Sequence, residues 1–237
     1  MSTYAISDIH GNLAIAQQVV RKAIEGNTIY FLGDACDRGW HGWQIIKMFL
    51  TTDNIVYLKG NHEDMLMKAM RLYFIGNDEY RSTRDFRIWE RNNSAITEFD
   101  IINDNFNKAH MFFSQLHTLP LTADYINSSN QIIHMCHSGW EYFDDVKCEE
   151  KILWDRTHYI LSTWWYDNNE FIVHGHTPIP YLIEEIGSPT DDEWNENSAF
   201  WYCEHHKVDI DMGTVMTKKA RLLDLDTFEE IILEGDK

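Results

Sequence analysis

The polar residues that follow short apolar runs are the feature that most constrains this chain. Five such runs are each followed within a few positions by aspartate, asparagine or histidine: Tyr4–Ile6, Ile29–Leu32, Ile55–Leu58, Ile132–Ile133 and Phe171–Val173. Short apolar runs bounded by glycine and polar residues are typical of buried strands. In an α/β protein, functional groups gather at the carboxyl ends of the strands. The pattern therefore predicts one polar site at the edge of a sheet, formed by Asp8, His10, Asp34, Asn61, His62, His137 and His176.

The order of the predicted elements indicates an α/β (α+β) fold in one domain, residues 1–237. Residues 3–74 alternate strand and helix three times, and strands that alternate with helices pair in parallel. Two runs at 121–126 and 131–136 flank Asn-Ser-Ser-Asn and predict a hairpin. A helix is expected over 144–154, an acidic loop over 187–198, and four short strands beyond residue 198. The sheet is therefore expected to become mixed in its second half.

A polar helical insertion is predicted at about 76–107. It is rich in asparagine and carries Arg81, Arg84, Arg87 and Arg91. In a helix, Arg84, Arg87 and Arg91 share one face. We favour a solvated helix that pairs with the abundant carboxylates of the chain. The alternative is a lid near the active site that attracts an anionic substrate.

Composition and charge exclude several classes of protein. The hydrophobic content of 44% argues against disorder, and a formal net charge of -18 argues against nucleic acid as a partner. No apolar leader segment or membrane-spanning run is evident, so we expect a cytoplasmic protein without membrane contact. We also expect a monomer. The four cysteines lack metal-finger spacing and are expected to be reduced thiols.

The polar residues at the strand ends are the donor types that divalent metals take. Carboxylate and amide oxygens suit hard cations, and imidazole suits manganese, iron and zinc. Asp34 lies between the other ligands in chain order and would suit a carboxylate that bridges two ions. His62 is free to act as a general acid, with Asp37 to orient it. The arginine guanidinium is a planar fork that fits phosphate oxygens, which makes Arg38 and Arg156 candidate phosphate ligands.

Three sequence blocks resemble the signature motifs of the phosphoprotein phosphatase (PPP) superfamily of metallophosphoesterases, in particular the lambda-phage and bacterial protein phosphatase type. They are Ser7–Asn12, Gly33–Gly39 and Gly60–Glu63, and His137–Gly139, Trp154–Arg156 and Gly175–Thr177 resemble its later motifs. The resemblance implies a four-layer α-β-β-α sandwich of the calcineurin-like metallophosphoesterase type. It also implies two divalent metals, one held by Asp8, His10 and Asp34 and the other by Asp34, Asn61, His137 and His176.

By the same resemblance, we expect a metal-dependent phosphomonoesterase of the serine/threonine protein phosphatase type. A metal-bridging hydroxide attacks the phosphate ester, His62 is the general acid with Asp37 as its partner, and Arg38 and Arg156 bind the phosphate. Manganese is the expected metal, with iron, zinc or nickel as alternatives, and the expected partner is a phosphorylated protein or a small phosphoester. The alternative function is a symmetrical bis(5'-nucleosyl)-tetraphosphatase, whose motifs typically carry alanine at position 37 and aspartate at position 63. The third hypothesis is a non-catalytic metal-binding scaffold.

Two departures from the family pattern concern the substrate. Relatives often carry Trp-x-x-Asn-Gly-Gly after the third block, whereas this chain has Trp89 and Asn92 followed by Asn93-Ser94. Trp40, Trp43 and Trp140 adjoin the motif loops. Core packing is the expected role of most of these aromatic residues, and one or two are expected to line the substrate pocket. His174 alternates with His176 on a strand end, so it is predicted to face the opposite side and to be a packed histidine.

Overall fold

The computed structural model describes residues 1–140, 148–157, 159, 169–187, 195 and 198–236. Its strands are β1 (Thr3–Ile6), β2 (Thr28–Phe31), β3 (Ile55–Tyr57), β4 (Thr122–Ile126), β5 (Ile132–Cys136), β6 (Glu170–His174), β7 (Phe200–Tyr202), β8 (Lys207–Asp209), β9 (Lys219–Asp224) and β10 (Glu230–Glu234). Its helices are α1 (Leu13–Ile24), α2 (Gly42–Thr51), α3 (Asn61–Phe74), a 3₁₀ helix (Asp78–Ser82), α4 (Arg84–Glu90), α5 (Ala95–Asn103), α6 (Phe106–Leu116), α7 (Glu149–Trp154), α8 (Ile179–Ile186) and α9 (Thr214–Thr217). In the described part of the chain, no helix is long and apolar enough to cross a membrane.

The strands form two five-stranded sheets. The first has the order β10-β9-β1-β2-β3, with β1, β2 and β3 parallel and β9 and β10 antiparallel to their neighbours. The second has the order β4-β5-β6-β8-β7, with β5, β6 and β8 parallel and β4 and β7 antiparallel at its edges. Both sheets are mixed, and β4 and β5 form the predicted hairpin.

Alternate residues of each strand face different layers, which gives the four-layer α-β-β-α sandwich. In β1, Tyr4 and Ile6 pack with the helices α1 to α6, whereas Ala5 packs between the two sheets. In β6, Val173 faces the first sheet, and Ile172 packs outward with α7. This alternation follows from the two-residue period of a strand. The predicted fold class is confirmed.

Helices begin where local sequence supplies capping groups. The side chain of Asn12 accepts a hydrogen bond from the Ile15 amide and caps α1, which buries a stripe formed by Ile15, Ala16, Val19 and Ala23. The helix α3 begins directly after Gly60, so Asn61 and His62 lie in its first turn rather than in a loop before it. Only residues 58–60 separate the end of β3 from the start of α3, and this short connection fixes the positions of these two side chains.

Some boundaries differ from the sequence prediction. The helix predicted over 144–154 is observed as α7 from Glu149, and residues 144–147 lie outside the described residues. Most of the acidic segment 187–198 also lies outside them. The helix α8 was not predicted, because its apolar positions immediately follow the Gly175–Thr177 block and read as an extension of it. All four cysteines are free thiols.

Candidate active site

The loops that leave the strand ends adopt backbone conformations that residues other than glycine rarely take. Positive φ angles of 40° to 76° occur at Asp8, His10, Asp34, Asp37, Arg38 and His176. Such conformations cost energy and concentrate at functional sites, where the surrounding structure holds them in place. Here the loops are held by close backbone approach: a Cβ on Gly33 would lie 2.4 Å from the Gly60 nitrogen. The side chains of the first three sequence blocks are therefore presented by a tightly constrained set of turns.

Glu63 joins the second and third of these loops. Its carboxylate, fully buried, accepts hydrogen bonds from the backbone amides of Asp34 (2.8 Å), Ala35 (2.8 Å) and Gly60 (2.9 Å). It also accepts one from the Tyr57 hydroxyl at 2.9 Å. Charged acceptors make the stronger hydrogen bonds, and these amides have no alternative partner in the turn. Glu63 therefore fixes the separation between Asp34 and the start of α3.

Replacing Glu63 with Gln should lower the free energy of unfolding by about 2 to 4 kcal/mol. The amide group has one acceptor oxygen, so at least one buried N–H would lose its partner and would face an NH₂ donor. Urea unfolding followed by circular dichroism measures the change. Glu79→Gln, at an exposed position on the 3₁₀ helix, is the matched control and should change stability by less than about 0.5 kcal/mol. Equal effects of the two substitutions would contradict the bridging role of Glu63.

Four donor atoms from separate elements converge at one side of the site. His137 Nε2 lies 2.9 Å from Asn61 Oδ1, 3.2 Å from His176 Nδ1 and 3.5 Å from Asp34 Oδ1. His137 Nδ1 donates to the Leu32 carbonyl at 2.8 Å, so its Nε2 carries the lone pair. Burial lowers the pKa of His176 well below the usual value, which keeps its imidazole neutral. Lone pairs that face each other in a buried cluster are the arrangement that a bound cation would satisfy.

A second cluster lies beside it and shares Asp34. His10 Nε2 is 3.8 Å from Asp8 Oδ1 and 3.6 Å from Asp34 Oδ2. His10 Nδ1 donates to the Cys36 carbonyl at 2.9 Å, which again leaves Nε2 as the lone-pair nitrogen. Burial, followed by the charges of Asp8 and Glu63, raises the pKa of Asp34 well above its usual value. Buried carboxylate, amide and imidazole donors that converge in this way fit divalent metal ions in both clusters.

His62 and Asp37 form a buried pair behind these clusters. His62 Nδ1 donates to Asp37 Oδ2 at 2.7 Å, and the same oxygen accepts from the Trp89 indole at 2.8 Å. Burial raises the pKa of Asp37 to about 7. Burial, and then the charge of Arg38, lowers the pKa of His62 well below its usual value. Within the described residues His62 Nε2 is buried without a hydrogen-bond partner, and it lies 3.8 Å from Asp34 Oδ2.

The two candidate phosphate-binding arginines lie at the open side of the site. Arg38 and Arg156 are exposed, and together with His10 and Asp211 they line a cavity of about 240 Å³. Arg156 Nη1 donates to Thr177 Oγ1 at 3.2 Å, and Arg38 Nη1 lies 3.1 Å from His10 Nε2. An anion in this cavity would meet both guanidinium groups next to the second metal-donor cluster.

The segment 76–107 supports the loop that carries Asp37 and Arg38. Besides the Trp89 contact, Thr97 Oγ1 accepts from the Asp37 amide at 3.1 Å, and the Asn93 carbonyl accepts from the Arg38 amide at 3.0 Å. The arginines at positions 84, 87 and 91 are exposed, as the solvated-helix interpretation predicts, and Arg81 pairs with Glu98 at 2.6 Å. The segment is therefore also a structural part of the site, which sequence reasoning missed. The sequence feature that could have indicated this supporting role is the Trp89-x-x-Asn92 spacing.

His174 faces away from the site, as predicted. Its Nε2 lies 2.8 Å from the Tyr202 hydroxyl, and it is fully buried. Asp211, which lines the arginine cavity, is a site-adjacent residue that sequence reasoning missed. It follows directly on the end of β8, so the strand-end pattern would have identified it had it been applied to that strand.

Solved structures with the same fold have diverse activities. A candidate diadenosine tetraphosphatase aligns with a TM-score of 0.62 at 14% identity, over 99% of this chain and 94% of that chain. A protein serine/threonine phosphatase from Saccharomyces cerevisiae with similarity to human phosphatase PP5 gives 0.55 at 14%, over 100% and 81%. A cold-active protein-tyrosine phosphatase of a psychrophilic Shewanella gives 0.53 at 16%, over 98% and 77%. At these identities the likeness extends to the fold alone.

Sequence comparison gives the family. Among curated protein sequences, none matches this chain. The profile of the calcineurin-like phosphoesterase family matches residues 1–210, a span that contains both donor clusters, the His62–Asp37 pair and both arginines. The family hydrolyses phosphoesters with divalent metal ions, and two buried groups that share Asp34, one with His137 and His176 and the other with His10 and His62, are candidate sites for such ions. This chain belongs to the calcineurin-like phosphoesterase family.

Proposed function

We propose that this protein is a metal-dependent phosphomonoesterase of the serine/threonine protein phosphatase type, within the lambda-phage group of the superfamily. The observation that carries the proposal is the position of His62. Its Nε2, which has no hydrogen-bond partner among the described residues, faces the shared carboxylate Asp34, while its Nδ1 is held by Asp37 at 2.7 Å. An imidazole fixed in this way, beside two metal-donor clusters and two arginines, suits protonation of a leaving oxygen.

The donor clusters define the proposed metal ligands. One ion would be held by Asp8, His10 and Asp34, and the other by Asp34, Asn61, His137 and His176. Manganese is the proposed metal, with iron, zinc or nickel as alternatives, because the set mixes carboxylate, amide and imidazole donors. When bound, the metals would supply Lewis-acid charge at the phosphoryl oxygens.

The remaining roles belong to side chains of this chain. Arg38 and Arg156 bind and orient the terminal phosphoryl group through their planar forks. In its imidazolium form His62 gives the proton at Nε2 to the leaving alcohol, and Asp37 stabilises that imidazolium through Nδ1 against the burial that lowers the pKa of His62. Trp89 donates to the same oxygen of Asp37 and so restricts its orientation. We further propose that the protein acts as a cytoplasmic monomer on phosphoproteins or small phosphoesters.

A panel of substrates tests the proposal against the symmetrical bis(5'-nucleosyl)-tetraphosphatase alternative. With manganese, at one pH and fixed salt, phosphoserine or phosphothreonine peptides and nitrophenyl phosphate should be hydrolysed with higher kcat/KM than diadenosine tetraphosphate. The physical reason is that a tetraphosphate needs cationic groups along an extended groove, whereas this chain concentrates two arginines at one cavity. Steady-state kinetics with phosphate detection provide the measurement.

The controls separate the enzyme from contaminants and from an inactive scaffold. Asp34→Asn, purified in the same way, removes the carboxylate shared by both clusters and should be inactive. A tenfold or greater preference for the dinucleotide, about 1.4 kcal/mol in transition-state binding, would reverse the ranking of substrates. Absence of turnover on every substrate, with manganese bound, would favour the metal-binding scaffold.

A further inference from the structure

Exposed apolar side chains surround the candidate active site. Trp40, Tyr181 and Met216 are 73%, 52% and 49% exposed, and Val215 is 37% exposed. They line two adjoining cavities, which both include His10 and Arg38. Large apolar groups gathered at one polar cleft, unlike single surface hydrophobics, mark a binding surface. A phosphoryl group gains nothing from apolar contacts, so these side chains are placed to contact the remainder of the substrate.

The second cavity is lined by Arg38 but not by Arg156. It has a volume of about 250 Å³, and its other lining residues include Trp40, Thr214, Val215 and Lys218. A cavity of about 150 Å³ is large enough to bind benzene. The space is therefore sufficient for one six-membered aromatic ring, directly beside an arginine proposed to hold the phosphoryl group.

The backbone at Trp40 is fixed although its side chain is exposed. A Cβ on the preceding Gly39 would lie 2.1 Å from the His10 carbonyl, and the following His41 donates its amide to the Gly11 carbonyl at 3.3 Å. The loop is thus packed against the first motif loop on both sides of the tryptophan. Within the described residues, no aromatic ring stacks on the indole. An uncovered indole on a fixed backbone is suited to stacking with a planar ligand.

We propose that Trp40 is a specificity-determining residue whose indole forms the wall of a subsite for an aromatic leaving group. This inference rests on the proposed phosphomonoesterase function and extends its substrate range to aryl phosphates, including phosphorylated tyrosine side chains. The phosphoryl group lies between Arg38 and Arg156, and the ring of the ester lies in the 250 Å³ cavity against the indole. An alkyl ester has no ring to stack there and gains nothing from Trp40.

Kinetics of the manganese-loaded protein with phenyl phosphate and propyl phosphate test the proposal. In Trp40→Ala, the preference for the phenyl ester, measured as the ratio of the two KM values, should fall about tenfold, which corresponds to about 1.4 kcal/mol. Trp40→Phe retains a ring and should retain most of the preference. Phe99→Ala removes an aromatic side chain that is 60% exposed on α5 and lines neither cavity, and it should leave the preference as in the wild type.

Binding of phenylphosphonate and propylphosphonate, measured by titration calorimetry, provides a readout independent of turnover. The wild type should bind the phenyl compound more tightly, and Trp40→Ala should bind the two about equally. An unchanged phenyl preference in Trp40→Ala, by either measurement, would overturn the subsite. Failure of the wild type to hydrolyse either ester would instead refute the phosphomonoesterase function, and the phosphonate comparison would still decide whether the subsite exists.

Discussion

Replacing His62 with Asn should lower kcat by about 10² to 10⁴ while the manganese content stays near that of the wild type. The imidazole Nε2 has no partner among the described residues, and its Nδ1 is bound to Asp37, so the side chain is placed for proton transfer and not required by packing alone. Asparagine preserves a hydrogen-bond donor towards Asp37 but cannot transfer a proton. Metal content is measured by elemental analysis of the purified variant, and kcat by phosphate release.

The leaving group provides an internal control for this prediction. Nitrophenolate leaves with little need for a proton, whereas the alkoxide of a serine ester leaves only when it is protonated. The defect of His62→Asn should therefore be smaller for nitrophenyl phosphate than for a phosphoserine peptide. A defect of the same size on both substrates would indicate that His62 does not act as the acid. Loss of manganese would indicate that it is a metal ligand, a possibility that its 3.8 Å separation from Asp34 makes worth measuring.

Asp37→Asn should show a smaller defect of the same kind. The amide can still contact the imidazole but no longer stabilises its charged form, so the effect should again be largest for poor leaving groups. Trp89→Phe is the conservative companion, because it keeps an aromatic ring in the core and removes the indole N–H that contacts Asp37 at 2.8 Å. If Trp89 positions Asp37, the Phe variant should show a partial kcat defect at an unchanged KM.

The fold and the position of the site were predictable because they depend on short-range patterns. Apolar runs of two to four residues followed by Asp, Asn or His define β1, β2, β3, β5 and β6, and parallel pairing then brings their carboxyl ends together. The contacts of His137 with Asn61, Asp34 and His176 depend on this arrangement, since each residue lies within four positions of the end of a strand. Their roles as metal ligands remain predictions.

The support of the site was less predictable, because it depends on contacts between distant positions. Trp89 lies 52 positions from Asp37, and Thr97 lies 60 positions from it. Whether they meet depends on how α4 packs on α3 and α5 packs on α2, and no periodicity in the sequence encodes those arrangements. The arginines of α4 predicted that one face of this helix is exposed to solvent. The sequence did not indicate what the opposite, buried face, with Phe86 and Trp89, packs against.

Removal of divalent metal should abolish turnover, and manganese should restore it better than magnesium. Three of the six proposed ligands are histidines, and imidazole favours manganese over magnesium, which prefers oxygen donors and retains its water. The need for a metal ion has a second reason. Burial, followed by the charges of Asp8 and Glu63, raises the pKa of Asp34, so these carboxylates repel one another and favour a bound cation. Full activity in exhaustively stripped protein would exclude metal-dependent chemistry.

Stability provides a measurement of the same sites that does not depend on activity. A ligand that binds only the folded state stabilises it by about 2.7 kcal/mol at a free concentration 100 times its Kd. Manganese should therefore raise the Tm of the stripped protein, and His137→Asn should reduce both this increase and the bound metal. His174→Asn is the matched control, since His174 is an equally buried histidine whose partner is Tyr202 and not the donor cluster. His174→Asn should lower the Tm of the stripped protein, because it removes a buried hydrogen bond. It should preserve the manganese-dependent increase in Tm, because manganese binds the donor atoms that converge on Asp34 and does not bind His174.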